Sequence, residues 1–186
     1  NYYACLYAGE DVCGLAFCDV STGAFHVTQV NGTDWAEAAC NELGSFLPAE
    51  ALLGGDAAQS ETICTLLTER LGACPNRGTA EQFDAQDCGD AVCGQFGALG
   101  ELEAMPCAVR AAGALLRTLK NLQKNDLPHI RQMELYMAGR FMGLDLSARR
   151  NLELTQTMRS KEKRGTLLWV LDQTKTAMGG RLMRSW

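Results

Sequence analysis

"YYACLYAGEDVCGLAFCDVSTGAFHVTQV", residues Tyr2–Val30, decides the fold class. Its three apolar runs, 2–8, 12–20 and 24–30, are rich in β-forming residues and are separated by the turn-like "GED" and "STG". Short runs bounded by turn residues predict three antiparallel strands in succession, a meander. Beyond it, Asn31–Thr33 break the pattern. Thr33 or Asp34 is placed to cap a helix that starts at Trp35, where alanines, Cys40 and Leu43 recur at helical spacing. "EALLGG" (50–55) suits a buried strand. A second helix is predicted over Ser60–Leu71, with Ile63, Leu66, Leu67 and Leu71 on one stripe and Gly72 at its end. "ACP" (73–75) reads as a further short strand, and residues 79–103 as mostly helical.

Three strands followed by helix, strand, helix and strand is the order of an α/β domain of the ribonuclease H-like kind, an inference about fold and not about activity. Charge then predicts where this domain ends. Residues 1–105 carry sixteen Asp and Glu against Arg70 and Arg77, a net of −14, whereas residues 106–186 carry fifteen Lys and Arg against six acids, a net of +9. Such segregation places a boundary after Met105: an α/β domain at 1–105 and the start of an all-α domain at 106–186. A surface at −14 repels phosphates, so the first segment is a poor candidate for contact with nucleic acid. Solvated helix faces account for the basic residues of the second segment as readily as a nucleic acid partner does.

With 47% hydrophobic and 21% charged residues, the composition is that of a globular chain. No apolar run approaches the roughly 20 residues of a membrane-crossing helix, and nothing resembles a signal peptide, so a cytoplasmic location is expected. The nine cysteines, at 5, 13, 18, 40, 64, 74, 88, 93 and 107, form no CxxC pair, and the histidines are His26 and His129. Zinc sites bring closely spaced ligand pairs, so these thiols are read as small buried hydrophobes in a reducing compartment and no metal is expected.

From Pro106, Ala108, Ala112, Leu115, Leu116, Leu119 and Leu122 make one apolar helical face that "KNDLP" stops. Residues 129–146 are less periodic, with extended pieces around "MELYM" and "RFMGLDL". A further helix is predicted after Ser147, and "TLLWVLD" and "AMGGRLMRSW" read as two short helices joined by "QTKT". The chain opens at Asn1 inside a predicted strand and stops at Trp186 on an unfinished helical face, the marks expected of an excised fragment.

"LDLSARRNLEL" followed by "GTLLWVLDQTKTAMGGRLMRSW" resembles the start of the core region of the MutS family of DNA mismatch repair proteins. The family pairs an LD-x-x-TRRNLE segment with S-LL-x-VLD-x-T-x-T-x-MG-x-R-L-L-x-x-W. Here Asp145, Arg149, Arg150, Asn151, Leu152, Glu153, Leu171, Asp172, Thr174, Thr176, Met178, Gly179, Arg181, Leu182 and Trp186 carry the match, with Ala148 where the family usually has Thr. "GLAFCDVSTGAF" (14–25) is similar to the family's connector domain, and "AAGALLRTLKNLQ" (111–123) to the helix leading into the core. The resemblance implies a connector plus the beginning of the core. It also implies that a mismatch-reading domain with a Phe-x-Glu wedge precedes Asn1 and that an ATPase with a GxxxxGK[ST] loop lies beyond Trp186; neither motif occurs in the chain. ATP, Mg, mismatched DNA and homo-oligomer formation would then belong to the parent protein. The segment itself would be non-catalytic, hold no cofactor, contact other domains of its own chain and offer MutL a docking surface within the acidic residues 1–105.

Two competing readings are a passive scaffold and a ribonuclease H-like nuclease. Nucleases of that fold hold metal ions with clustered carboxylates, for which Asp19, Glu42 and Asp56 are candidates. They place an acid in the middle of the first strand, however, and "YYACLYA" has none. Arg149 and Arg150 are read as structural, one serving the interior with a carboxylate partner. Gly179 and Gly180 suggest a close helix approach and not a phosphate loop, and Trp35, Trp169 and Trp186 are expected in the core. His26 and His129 show no spacing that suggests a base or nucleophile pair.

Overall fold

The structure, a computed structural model, describes residues 2–124, 126–138 and 146–185. The chain divides into two compact units, 1–141 and 142–186.

In the first unit the meander forms as its turn-bounded apolar runs predict: β1 (Tyr2–Gly9), β2 (Val12–Asp19) and β3 (Ala24–Asn31) pair antiparallel. After α1 (Trp35–Phe46), β4 (Glu50–Gly55) lies parallel to β1, and β5 (Cys74–Arg77) parallel to β4. A two-residue strand, β6 (Glu134–Leu135), closes the other edge parallel to β3. The resulting order, β5-β4-β1-β2-β3-β6, contains the ribonuclease H-like arrangement expected from the sequence.

The predicted second helix is two pieces. Ser60 caps α2 (Glu61–Thr65), its hydroxyl accepting from the Ile63 N–H at 3.4 Å, and the chain then widens into a π-helical turn over Leu66–Leu71 that ends at left-handed Gly72. The wider turn brings Leu66 and Leu67 together into the core beside Ile63. At α1 the N-cap position is Asp34, without a side-chain cap bond. Residues 79–103 are helical in three pieces, with α3 (Ala85–Phe96) capped by the Asp84 carboxylate, which accepts from the Gln86 and Asp87 N–H groups at 2.9 and 3.0 Å.

The boundary expected after Met105 falls inside the first unit. The helix that begins there, α4 (Pro106–Gln123), lies across the sheet, burying Ala108, Ala111, Ala112, Leu115, Leu116 and Leu119 against Cys5, Ala16, Cys18, Phe25 and Val27. Each fully buried Leu contributes roughly 1.5–3 kcal/mol, so this face is what holds α4 to the unit. Gly14 and Gly113 allow the close seating, since a Cβ at Gly14 would stand 2.1 Å from the Cys107 backbone and one at Gly113 2.3 Å from the Cys88 carbonyl oxygen. Recounted over the two units, eight basic residues meet eighteen acids in 1–141 (net −10), and nine meet four in 142–186 (net +5). The change of charge at Met105 is therefore an exchange within one unit. Arg117 pairs with Asp87 at 2.9 Å, and Arg110 lies over the Tyr7 ring at 4.9 Å while donating to the Tyr7 hydroxyl at 2.8 Å.

The second unit contains α5 (Leu146–Asn151), α6 (Leu167–Leu171) and α7 (Ala177–Ser185). Ser147, expected just ahead of the first of these, stands in its first turn. The "RFMGLDL" piece, apart from Leu146, lies outside the described residues.

All nine cysteines are free thiols. Cys5, Cys13, Cys18 and Cys88 are buried as expected, whereas Cys74, on edge strand β5, is exposed. An aromatic disulfide reagent is therefore expected to label Cys74 first in the native protein and those four only on unfolding. Equal labelling rates across all five would contradict this packing.

Candidate functional site

Alternation along the strands sets the site. Tyr2 on β1, Phe17 on β2 and His26 on β3 share one sheet face, the face that α1 covers, and Phe46 at the end of α1 drops its ring among them. Phe46 stacks on Phe17 with centroids 4.0 Å apart, and its centroid lies 5.1 Å from Tyr2, 5.2 Å from His26 and 6.0 Å from Tyr136. Around these rings stand carboxylates. Glu42 on α1 accepts a 2.7 Å hydrogen bond from the Tyr136 hydroxyl, and Glu134 Oε2 lies 3.1 Å from His26 Nδ1. Burial, and then the neighbouring charge of Glu42, push the Tyr136 phenol far above its ordinary range, so it is held as a neutral donor. Burial likewise raises Tyr2, with the Asp19 charge adding to it.

Of the nuclease candidates, Glu42 belongs to this corner and is engaged by Tyr136. Asp19 pairs with Tyr2 at one end of β1, and its carboxylate accepts from the Ser21 N–H and hydroxyl at 2.9 and 2.7 Å, closing the turn after β2. Asp56 follows Gly55, which pairs with Ala8 six residues further along β1. At about 3.3 Å per residue, Asp19 and Asp56 sit near opposite ends of the strand, about 20 Å apart. Among the described residues, no three His, Cys, Asp or Glu gather as a metal site, and no helix is long and apolar enough to cross a membrane. Sequence reasoning missed Tyr2, Phe46, Glu134 and Tyr136. The extended "MELYM" was the available signal, but nothing local in it points to α1.

In the second unit, the signature residues build turns. Glu153 takes a left-handed φ of 46°, its carboxylate accepts from the Met158 N–H at 2.7 Å, and its carbonyl accepts from the Leu167 N–H at 3.3 Å. Buried Thr166 caps α6, accepting from the Trp169 N–H at 3.1 Å. Asp172 pairs with Lys163 and accepts from the Thr174 N–H and hydroxyl at 3.0 and 2.5 Å; these partners, Lys163 foremost, hold its carboxyl down at about 2. The Thr176 hydroxyl accepts from the Gly179 N–H at 3.1 Å. The nearest described neighbours of Gly179 and Gly180 are Thr176, Thr174 and Asp172 of this turn. Arg149 is half-buried and engaged, while Arg150, Asn151 and Arg181 are exposed. Leu152, Leu171, Met178 and Leu182 are exposed as well, and Trp169 is 50% exposed, contrary to its expected core position; Trp35 is half-buried. Asp145 and Trp186 lie outside the described residues.

The chain is thus an α/β unit followed by a small helical unit built on a turn signature. The description "MutS domain II" matches residues 1–131 and "MutS domain III" matches residues 147–186. The DNA mismatch repair protein MutS of Ruminiclostridium cellulolyticum is 35% identical over 187 residues, covering 100% of this chain and 21% of the relative. That of Acetivibrio thermocellus is 35% identical, with 100% and 22% covered, and that of Desulforamulus reducens 38% identical, with 94% and 20% covered. The chain belongs to the MutS family, and it spans about a fifth of the length of these relatives.

Proposed function

We propose that this chain is the connector-and-core portion of a DNA mismatch repair protein, a non-catalytic module that couples mismatch reading to an ATPase elsewhere in the same polypeptide. The observation that carries the reading is the succession of two MutS domain matches, II then III, along one chain. Its acidic first unit offers the docking surface for MutL. Mismatched DNA, ATP and Mg are bound by other parts of the parent, which acts as a homo-oligomer. The coupling is physical: nucleotide state changes how the connector docks, and docking exposes or hides the partner surface. The separation of Asp19 from Asp56 and the engagement of Glu42 by Tyr136 support a non-catalytic role.

Calorimetric titration of the purified chain with its cognate MutL, without DNA or ATP, is expected to give a saturable heat of binding. A silent titration from a chain shown to be folded would remove the docking surface from these residues.

A further inference from the structure

Between α4 and the second unit, residues 126–138 run as a strap over the first unit, held at three places. Leu127 and Ile130 are buried with the α4-side core, and the Gln95 amide on α3 donates to the carbonyls of both, at 3.0 and 2.8 Å. The His129 carbonyl lies against Gly23, where a Cβ would stand 2.4 Å from its oxygen. The last hold is different in kind. β6 pairs with β3, the Tyr136 N–H donates to the Val27 carbonyl at 3.1 Å, and the buried Thr28 hydroxyl donates to the Tyr136 carbonyl at 2.7 Å. Pleat alternation then sends Leu135 to the α4 face and Tyr136 to the α1 face, where its hydroxyl meets Glu42.

We propose that Tyr136 and Glu42 form a latch tying α1 to the segment by which the chain leaves the first unit. The two earlier holds fasten the strap to α3 and to the β2–β3 turn, so they keep residues 127–130 in place whatever α1 does. The second half of the strap has a two-residue strand at the sheet edge, too short to stay paired on ladder bonds alone. Its attachment to α1 consists of one hydrogen bond between residues 94 apart in sequence, from a neutral phenol to a carboxylate, and the contact of the Tyr136 ring with Phe46. Displacing α1 therefore leaves β6 to its short ladder, the Thr28 and His26 contacts and the packing of Leu135, so residues 131–138 open more readily while the meander and α4 stay intact. Eight freed residues span at most about 28 Å, a large change at the chain's exit for a small one at α1. Use of this latch in coupling rests on the function proposed above; its existence does not.

Amide exchange of the full 186-residue chain, with no partner present, tests it. Tyr136→Phe and Glu42→Ala are expected to speed exchange over 133–138 by about tenfold or more, the usual worth of a hydrogen bond to a charged group. Exchange over 127–130 and over β1 and β2 should hold, and Glu42→Gln, which keeps an acceptor, should restore most of the protection. Unchanged exchange over 133–138 in both variants overturns the latch. So does equal acceleration over 127–130 and the meander, because the strap would then open only with the whole unit.

Discussion

Replacing Gly14 with valine is expected to destabilise the first unit by about 3 kcal/mol or more, with a fall in Tm on the order of 10 °C. By strand propensity alone the change should help, since valine favours a strand over glycine by up to about 1 kcal/mol. Packing decides the sign. The nearest neighbours of an added Cβ are the Cys107 carbonyl carbon and oxygen, both at 2.1 Å, and the Ala108 nitrogen at 2.3 Å. These are backbone atoms of α4, so no rotamer change relieves the clash and the helix must lift from the sheet. Lifting it unseats Leu115 and Leu116, which are fully buried in the same core. Gly89→Ala on α3 is the control: nothing lies within 4 Å of its Cβ position, and alanine there is expected to stabilise by about 0.5–1 kcal/mol. Thermal unfolding of both variants reads the contrast directly. A Gly14→Val protein within 1 kcal/mol of the parent would mean that α4 does not lie where it is described.

The same helix shows what the sequence discloses and what it hides. Periodicity reports which face of an element is apolar, so the meander, α1, β4 and the stripe of α4 were legible from short windows. It does not report what that face packs on. The basic residues of α4 looked like the opening of a new domain because their partners are earlier in the chain: Arg117 reaches Asp87, and Arg110 reaches Tyr7, 103 residues away. In the Arg117–Asp87 pair, charges segregated along the sequence meet in space.

The aromatic corner was hidden for a related reason. Glu42 reads as an acid and a candidate metal ligand, but its partner is a tyrosine just past a strand of two residues that owes its pairing to an edge of the sheet. The second unit was more transparent, since the contacts of Asp172, Thr174, Thr176 and Gly179 are local caps and turns. Trp169 was not. Apolar character predicted burial, and its exposure is a matter of tertiary surroundings that no local pattern encodes.

Alkaline pH is expected to weaken the first unit sharply. Burial raises the thiols of Cys5, Cys13 and Cys18 above their ordinary value of 9.0, with Cys18 pushed up to about 12. A thiol whose pKa is raised on folding costs nothing below pH 9, where both states keep the proton. Above it the unfolded chain ionises and the folded one does not, so stability falls as pH rises. Each unit of pH beyond 9 is worth at most about 1.4 kcal/mol per such group, hence about 2 kcal/mol each at pH 10.5. Three together approach about 6 kcal/mol, comparable to the whole stability of an ordinary domain. Tyr136 contributes with the same sign above pH 10. Urea midpoints should therefore stay level from pH 7 to 8.5 and drop steeply by pH 10.5. A Cys5→Ala, Cys18→Ala double variant separates this cause from general charge repulsion: whatever it loses at pH 7, its midpoint should decline less steeply with pH. If the midpoint at pH 10.5 equals that at pH 7.5, these thiols are not closed off from water, and the seating of α4 over Cys5 and Cys18 fails with them.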